Sequence, residues 1–251
     1  MGIDCSTTKA EPTSETIALI SLRREEDVDL LTLEAGENRL NGPLLDEFEA
    51  ALLRVESGDA KALVSVGSGR FYSTGLDLAW LAGDGRAEAA DFVFRLQRLF
   101  ARILLFPIPT VAALNGHAFA GGAMLALAHD ARIMRADRGF FCLPEIDLAT
   151  GQSLTPGMTA LIGSRVPPQS FHEAIISGRR YGGADACKRG FVEQSCREED
   201  LLATAYARAK RLAGHDREAV IAMKRSAWGD IVEALLDTAP HSGGSPPTPN
   251  P

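Results

Sequence analysis

The stretch NGHAFAGGAMLALAHDARIM, Asn115 to Met134, constrains the fold more than any other part of the chain. Gly121 and Gly122 open an apolar run of helical type, and the run closes at His129-Asp130. A helix apolar on all sides must be buried on all sides. The chain therefore has to build layers around it. With 251 residues it has the length for one large domain or two small ones. A chain of that size buries roughly three-quarters of its unfolded surface.

The pattern on either side fits layered α/β architecture. Residues 17–21 and 28–33 read as strands around the charged turn RREED. GPLLDEFEAALLRVE has helix periodicity, with Pro43 near the start, where a missing N–H costs little. ALVSV at 62–66 is a short buried strand, and the segment around Trp80 is helical up to Gly83. In AEAADFVFRLQRLFARILLF, the residues Phe92, Val93, Leu96, Leu99, Phe100, Ile103 and Leu104 form one stripe, ended by Pro107. PTVAAL, ARIMRA and GFFCL read as strands. From Pro156 onward the pattern is mainly helical. Strands alternating with helices, then helices closing the chain, predict an α/β fold with a C-terminal helical part. The expected organisation is a disordered tail over 1–15, a core over 16–195, a helical region over 196–239 and a disordered Pro/Gly-rich tail over 240–251.

Several function classes fall away. A net charge of −7 argues against a nucleic-acid binder. No apolar run is long enough to span a membrane. Met-Gly-x-x-x-Ser at Met1–Ser6 fits a myristoylation pattern, but an unstructured tail accounts for it as well. Cys5, Cys142, Cys187 and Cys196 form no CxxC pair and read as reduced thiols. The C-terminal PNP is not an SKL-type signal, so the expected compartment is the cytoplasm. GSGRFYSTG fails the dinucleotide spacing at Tyr72, and the five histidines show no metal-binding pairing.

Two junctions remain that can carry chemistry. SGRFYSTGLDLAWL, Ser68 to Leu81, and NGHAFAGGAMLAL, Asn115 to Leu127, each run from a strand through a glycine turn toward a helix. The first turn of a helix leaves backbone N–H groups without internal partners. Two such ends meeting at one point would form an oxyanion hole for a carbonyl oxygen that turns negative during reaction. Glycine turns serving only tight packing would read the same way.

STGLDLAWL and NGHAFAGGAMLALAHDARI resemble the two oxyanion turns of the crotonase (enoyl-CoA hydratase/isomerase) superfamily. The likeness runs over roughly residues 16–225 and takes in PEIDL, Ser177-Gly178 and the Ala186–Val192 run. FYSTGLDLAW and RADRGFFCLPEIDL are most similar to the monofunctional Δ3,Δ2-enoyl-CoA isomerases of plant type. The resemblance implies a crotonase-like ββα spiral with a C-terminal helical trimerisation region, and a homotrimer or hexamer. It implies an acyl-CoA thioester as substrate, with no cofactor beyond coenzyme A as part of that substrate and no metal. It assigns the oxyanion donors to the backbone N–H groups of Leu76 and Gly121. Hydratases of the family carry a glutamate where Met124 stands, and a second one that corresponds to Glu145. A lone Glu145 implies proton transfer from C2 to C4 of a 3-enoyl-CoA rather than addition of water. Hydration, another crotonase reaction, or acyl-CoA binding without catalysis are the alternatives. The spacing from Asp130 to Glu145 is one residue longer than in typical hydratases, which leaves Asp147, also expected at the substrate pocket, as the substitute base. Many members have a CoA-binding lysine where Ala79 stands; Arg70, Arg23 or Arg24 is expected to replace it. ATGQSLTPGM keeps only part of the glycine-rich loop usual after the catalytic segment. Lys224 and Arg225 are expected on a solvated helix face, or reaching a neighbouring subunit's ligand.

Overall fold

Short apolar segments bounded by turns become the strands of one six-stranded sheet. The computed structural model of the chain describes residues 18–147 and 154–237. The expected tails over 1–15 and 240–251, the Met1–Ser6 pattern and most of ATGQSLTPGM lie outside the described residues. The sheet has the order β1 (Ile20–Glu25), β2 (Val28–Leu33), β3 (Ala62–Gly67), β5 (Thr110–Leu114), β7 (Ala131–Arg135) and β9 (Gln194–Cys196). Only β1 is antiparallel to its neighbour; the other pairs are parallel. Every residue of β3 and β5 is buried, as parallel strands covered on both faces require. The first strand begins later than the sequence suggests, and the turn falls at Glu26, which has φ of 55°.

A second, three-stranded parallel sheet stands beside the first: β4 (Phe71–Ser73), β6 (His117–Phe119) and β8 (Phe141–Cys142). These strands are only two or three residues long, too short for any period to show.

The helices fill both sides of the main sheet. On one side lie α1 (Gly42–Ser57), α2 (Leu78–Ala82), α3 (Ala89–Leu104) and α4 (Gly121–Ala128). Asn41 caps α1, its side chain accepting from the Leu44 N–H at 3.0 Å, with proline just inside the start. Leu44, Leu45, Phe48, Leu52 and Val55 then form its buried face against the core shared with Leu31, Leu33 and Leu63. All eight residues of α4 are buried, as its sequence demands. Four more helices follow: α5 (Pro156–Arg165), α6 (Pro168–Ser177), α7 (Gly183–Lys188) and α8 (Leu201–Leu212). Leu201, Ala205 and Ala209 of α8 lie one turn apart, and they cover the far face of the sheet at Val64, Val111 and Ile133. The last helix, α9 (Arg217–Leu236), packs across α3 and α5. No described helix is long and apolar enough to cross a membrane.

Candidate active site

Three turns leave the carboxyl ends of β4, β6 and β8 and meet around one cavity of about 210 Å³. The first turn supplies Thr74 and Leu76, the second Ala120 and Gly121, the third Pro144 and Glu145. Met124 adds the first turn of α4, and Val93 and Met158 add α3 and α5.

The first turn is held by residues after β2. Ser73 Oγ donates to the Asn38 carbonyl at 2.7 Å, and the Thr74 N–H to the Glu37 carbonyl at 3.1 Å. Leu40 donates to the Gly75 carbonyl at 2.7 Å and accepts from the Asp77 N–H at 3.0 Å. In such a parallel bridge the N–H and C=O of Leu76 itself point away from Leu40. The Leu76 carbonyl accepts from the Leu78 N–H at 3.1 Å, while the Leu76 N–H has no acceptor among the described residues. Gly75 has φ of 87°, a region open to glycine.

The second turn is strained. Ala120 precedes α4 with φ of 49° and ψ of −123°, a conformation that costs a residue bearing a Cβ about 1–3 kcal/mol. It is held from both ends: its N–H donates to the Cys142 carbonyl at 3.0 Å and its carbonyl accepts from the Met124 N–H at 3.0 Å. Gly121 is the first residue of α4, so its N–H is one of the unpaired donors of the helix start. At Gly122 a Cβ would lie 2.3 Å from the Ser73 carbonyl oxygen, so the two turns close up only over a bare backbone. They do close up: a Cβ on Gly75 would be 3.0 Å from the Gly121 nitrogen. Leu76 and Gly121 thus line the same cavity, at the positive end of α4.

Glu145 lies in a single 3₁₀ turn after β8. Its Oε2 is buried and has no hydrogen-bond partner among the described residues. Burial pushes its carboxyl up from 4.5 to about 7, opposed only by a hydrogen bond from its own backbone. The cavity is also lined by Leu76, Met124, Leu154 and Met158; among the described lining residues the other polar side chains are Thr74 and Thr155. Thr155 donates through Oγ1 to Gln97 Oε1 at 2.5 Å and accepts from the Met158 N–H at 3.1 Å. Gln97 lies beside the apolar stripe of α3 and is buried.

Other candidates lie elsewhere. Asp147 is exposed and off the cavity; its carboxyl faces Gly178, where a Cβ would come within 2.4 Å of Oδ2. Arg24 is held by Asp29 at 2.6 Å and Asp59 at 2.8 Å, beside the amino end of β2 and thus at the opposite end of the strands from the cavity. Arg23 is on the same strand and pairs with Glu25 at 3.5 Å. Neither lines the cavity. Arg70 is exposed in the turn before β4 and does not line the cavity. Lys224 corrects the expectation of a solvated face: it is buried, donating to Asp130 Oδ2 at 2.6 Å and to the Ile108 carbonyl at 3.3 Å. The same Asp130 oxygen accepts the Thr110 N–H at 2.7 Å, so the pair ties α9 to the start of β5. Arg225 is exposed. Cys142, Cys187 and Cys196 are free thiols.

The profile of the family described as "Enoyl-CoA hydratase/isomerase" matches residues 13–237. Among curated proteins, enoyl-CoA delta isomerase 2, peroxisomal, of Arabidopsis thaliana is 32% identical over 206 residues, 78% of this chain and 85% of that protein. A probable enoyl-CoA hydratase of Mycobacterium leprae is 28% identical over 88% of this chain and 74% of its own length. Among solved structures, a probable enoyl-CoA hydratase of Mycobacterium tuberculosis superposes with a TM-score of 0.80 at 26% identity, covering 87% of this chain and 92% of its own.

Proposed function

The chain belongs to the enoyl-CoA hydratase/isomerase family, and from that premise we propose that it moves the double bond of a 3-enoyl-CoA to the 2-trans position through one glutamate. The observation that carries this reading is the carboxylate inventory of the cavity. Among the described lining residues Glu145 is the one carboxyl, and Met124 lines the same cavity at the position where the family's hydratases carry the second carboxylate that helps hold and activate water.

The thioester oxygen accepts the Leu76 and Gly121 N–H groups. Glu145 takes a proton from C2, and the electron pair moves into the thioester as a dienolate whose oxygen carries the charge. Donors fixed before the reaction stabilise that charge without reorganising. The same carboxyl, now protonated, returns the proton at C4, and the double bond settles between C2 and C3. Its value of about 7 suits both halves, since a base poised near neutrality can also act as the acid. The apolar wall keeps water from competing for the dienolate. The reaction as proposed uses no cofactor other than the coenzyme A of the substrate.

The test is turnover of 3-enoyl-CoA, 2-enoyl-CoA and saturated acyl-CoA side by side. Formation of 2-enoyl-CoA from the first, with no hydration of the second, is the expected result. Hydration of the second at comparable rate would make the protein a hydratase. Binding of all three with turnover of none would make it a binding protein of the same fold.

A further inference from the structure

The cavity has a floor, and the floor sets a chain length. We propose that the protein acts on short to medium acyl chains, with an upper limit near eight carbons fixed by Val93 and Met158; this rests on the acyl-CoA reading above.

The substrate carbonyl is anchored at Leu76 and Gly121, so the acyl chain must run away from them. Leu78 on one side of the cavity is 47% exposed and marks the mouth, through which the pantetheine arm leaves. Met158 on another side is 6% exposed and marks the inner wall. That wall is the seam between α3 and α5. Val93 and Gln97 are one turn apart on α3, and Thr155 and Met158 are one turn apart at the start of α5. The Thr155–Gln97 hydrogen bond of 2.5 Å joins those two turns at a partly buried point and ties them together.

The seam has no room to retreat. α9 packs behind both helices. At Gly157, next to Met158, a Cβ would come within 2.6 Å of the Ala234 carbonyl oxygen and of the Leu235 Cα, so backbone already lies on backbone. Moving α5 outward means lifting α9, which Lys224 and Asp130 hold at 2.6 Å.

Volume converts this into a length. An apolar cavity of roughly 150 Å³ is filled by the six carbons of benzene. At that density, the cavity of about 210 Å³ takes roughly eight non-hydrogen atoms. The carbonyl carbon and oxygen occupy two of these positions. The rest of the chain, together with the small give of Met158, a flexible side chain, brings the limit to about eight carbons in all.

The experiment measures kcat/KM of the full-length protein on 3-hexenoyl-, 3-octenoyl-, 3-decenoyl- and 3-dodecenoyl-CoA, and in parallel Kd for the matching saturated acyl-CoAs. In an open apolar channel each added methylene contributes about 0.8 kcal/mol, or roughly a fourfold rise per carbon. The closed floor predicts that the rise stops at octenoyl and that dodecenoyl falls about tenfold below it, with the same break in Kd. Met158→Ala removes about three non-hydrogen atoms from the wall and should move the break two to three carbons longer. Val93→Phe, which fills space instead of emptying it, should move it shorter, so a loss of folding in one variant leaves the other to decide. A wild-type profile that keeps rising through dodecenoyl overturns the proposal, as does a break that stays in place in a folded variant. Absence of turnover at every length would overturn the isomerase reading, while the Kd series would still report whether the floor exists.

Discussion

Glu145 is held ready for its task at a cost to the fold, and removing it should make the protein more stable in alkali. Burial raises its carboxyl from 4.5 to about 7, so folding favours the protonated form. The stability tied to this group is fully present below 4.5 and is lost as pH rises through about 7. Above that, the folded protein carries an ionised carboxylate that the unfolded chain would solvate freely. The shift of about 2.5 units corresponds to roughly 3 kcal/mol at 1.36 kcal/mol per unit, the upper limit for a group with partial access to water. Glu145→Gln keeps the shape and drops the charge. Its stability should match the wild type at about pH 4 and exceed it by about 2–3 kcal/mol at about pH 9. Urea unfolding of both proteins at fixed concentration across that range measures the difference as a change in midpoint with unchanged slope. A difference that stays constant with pH, or a wild type more stable at about pH 9, would refute the assignment of a buried, unpartnered carboxyl.

The same variant should lose about 10²–10⁴ in isomerase turnover and still bind acyl-CoA, because a positioned base is worth that much. Wild-type kcat/KM should rise with pH through about 7 and fall about tenfold per unit below it, as the ionised fraction of Glu145 falls. Met124→Glu places a second carboxylate against the first; like charges raise both pKa values, so the limb should move to higher pH, and hydration of 2-enoyl-CoA should appear. Lys224→Met leaves Asp130 without its buried cation and should cost about 3 kcal/mol by urea unfolding; adding Asp130→Asn should recover part of that.

The long elements were legible because their periods are long. The α3 stripe and the fully apolar α4 read directly from spacing, and the two glycine turns pointed to residues that line one cavity. The small sheet was not legible, since a strand such as Phe141–Cys142 has no period to read and exists through pairing with β6 and the Tyr181 bridge. β9 was hidden for the same reason, inside a stretch otherwise helical. Lys224 was misread because a lone lysine on a helix looks solvated until its partner, Asp130, is brought to it from far along the chain. Arg24, paired with Asp29 and Asp59 away from the cavity, could not be placed beforehand because sequence does not say which end of a sheet a strand residue occupies. Gln97 and Thr155 acquire meaning only together, and nothing local links residues so far apart.

The packing of α9 against α3 and α5 has a consequence for how the protein is made. A chain grows from its amino end at about 5–20 residues per second, and early segments fold as they emerge. Here Glu145 and the turns bearing Leu76 and Gly121 are made well before Leu235, the residue that presses on Gly157 behind the cavity. Until that last helix leaves the ribosome, the outer faces of α3 and α5 are bare and the acyl cavity has no backing. A nascent or C-terminally clipped chain therefore carries Glu145 and both turns without the backing of the cavity wall, and it exposes the apolar surface that chaperones and proteases recognise.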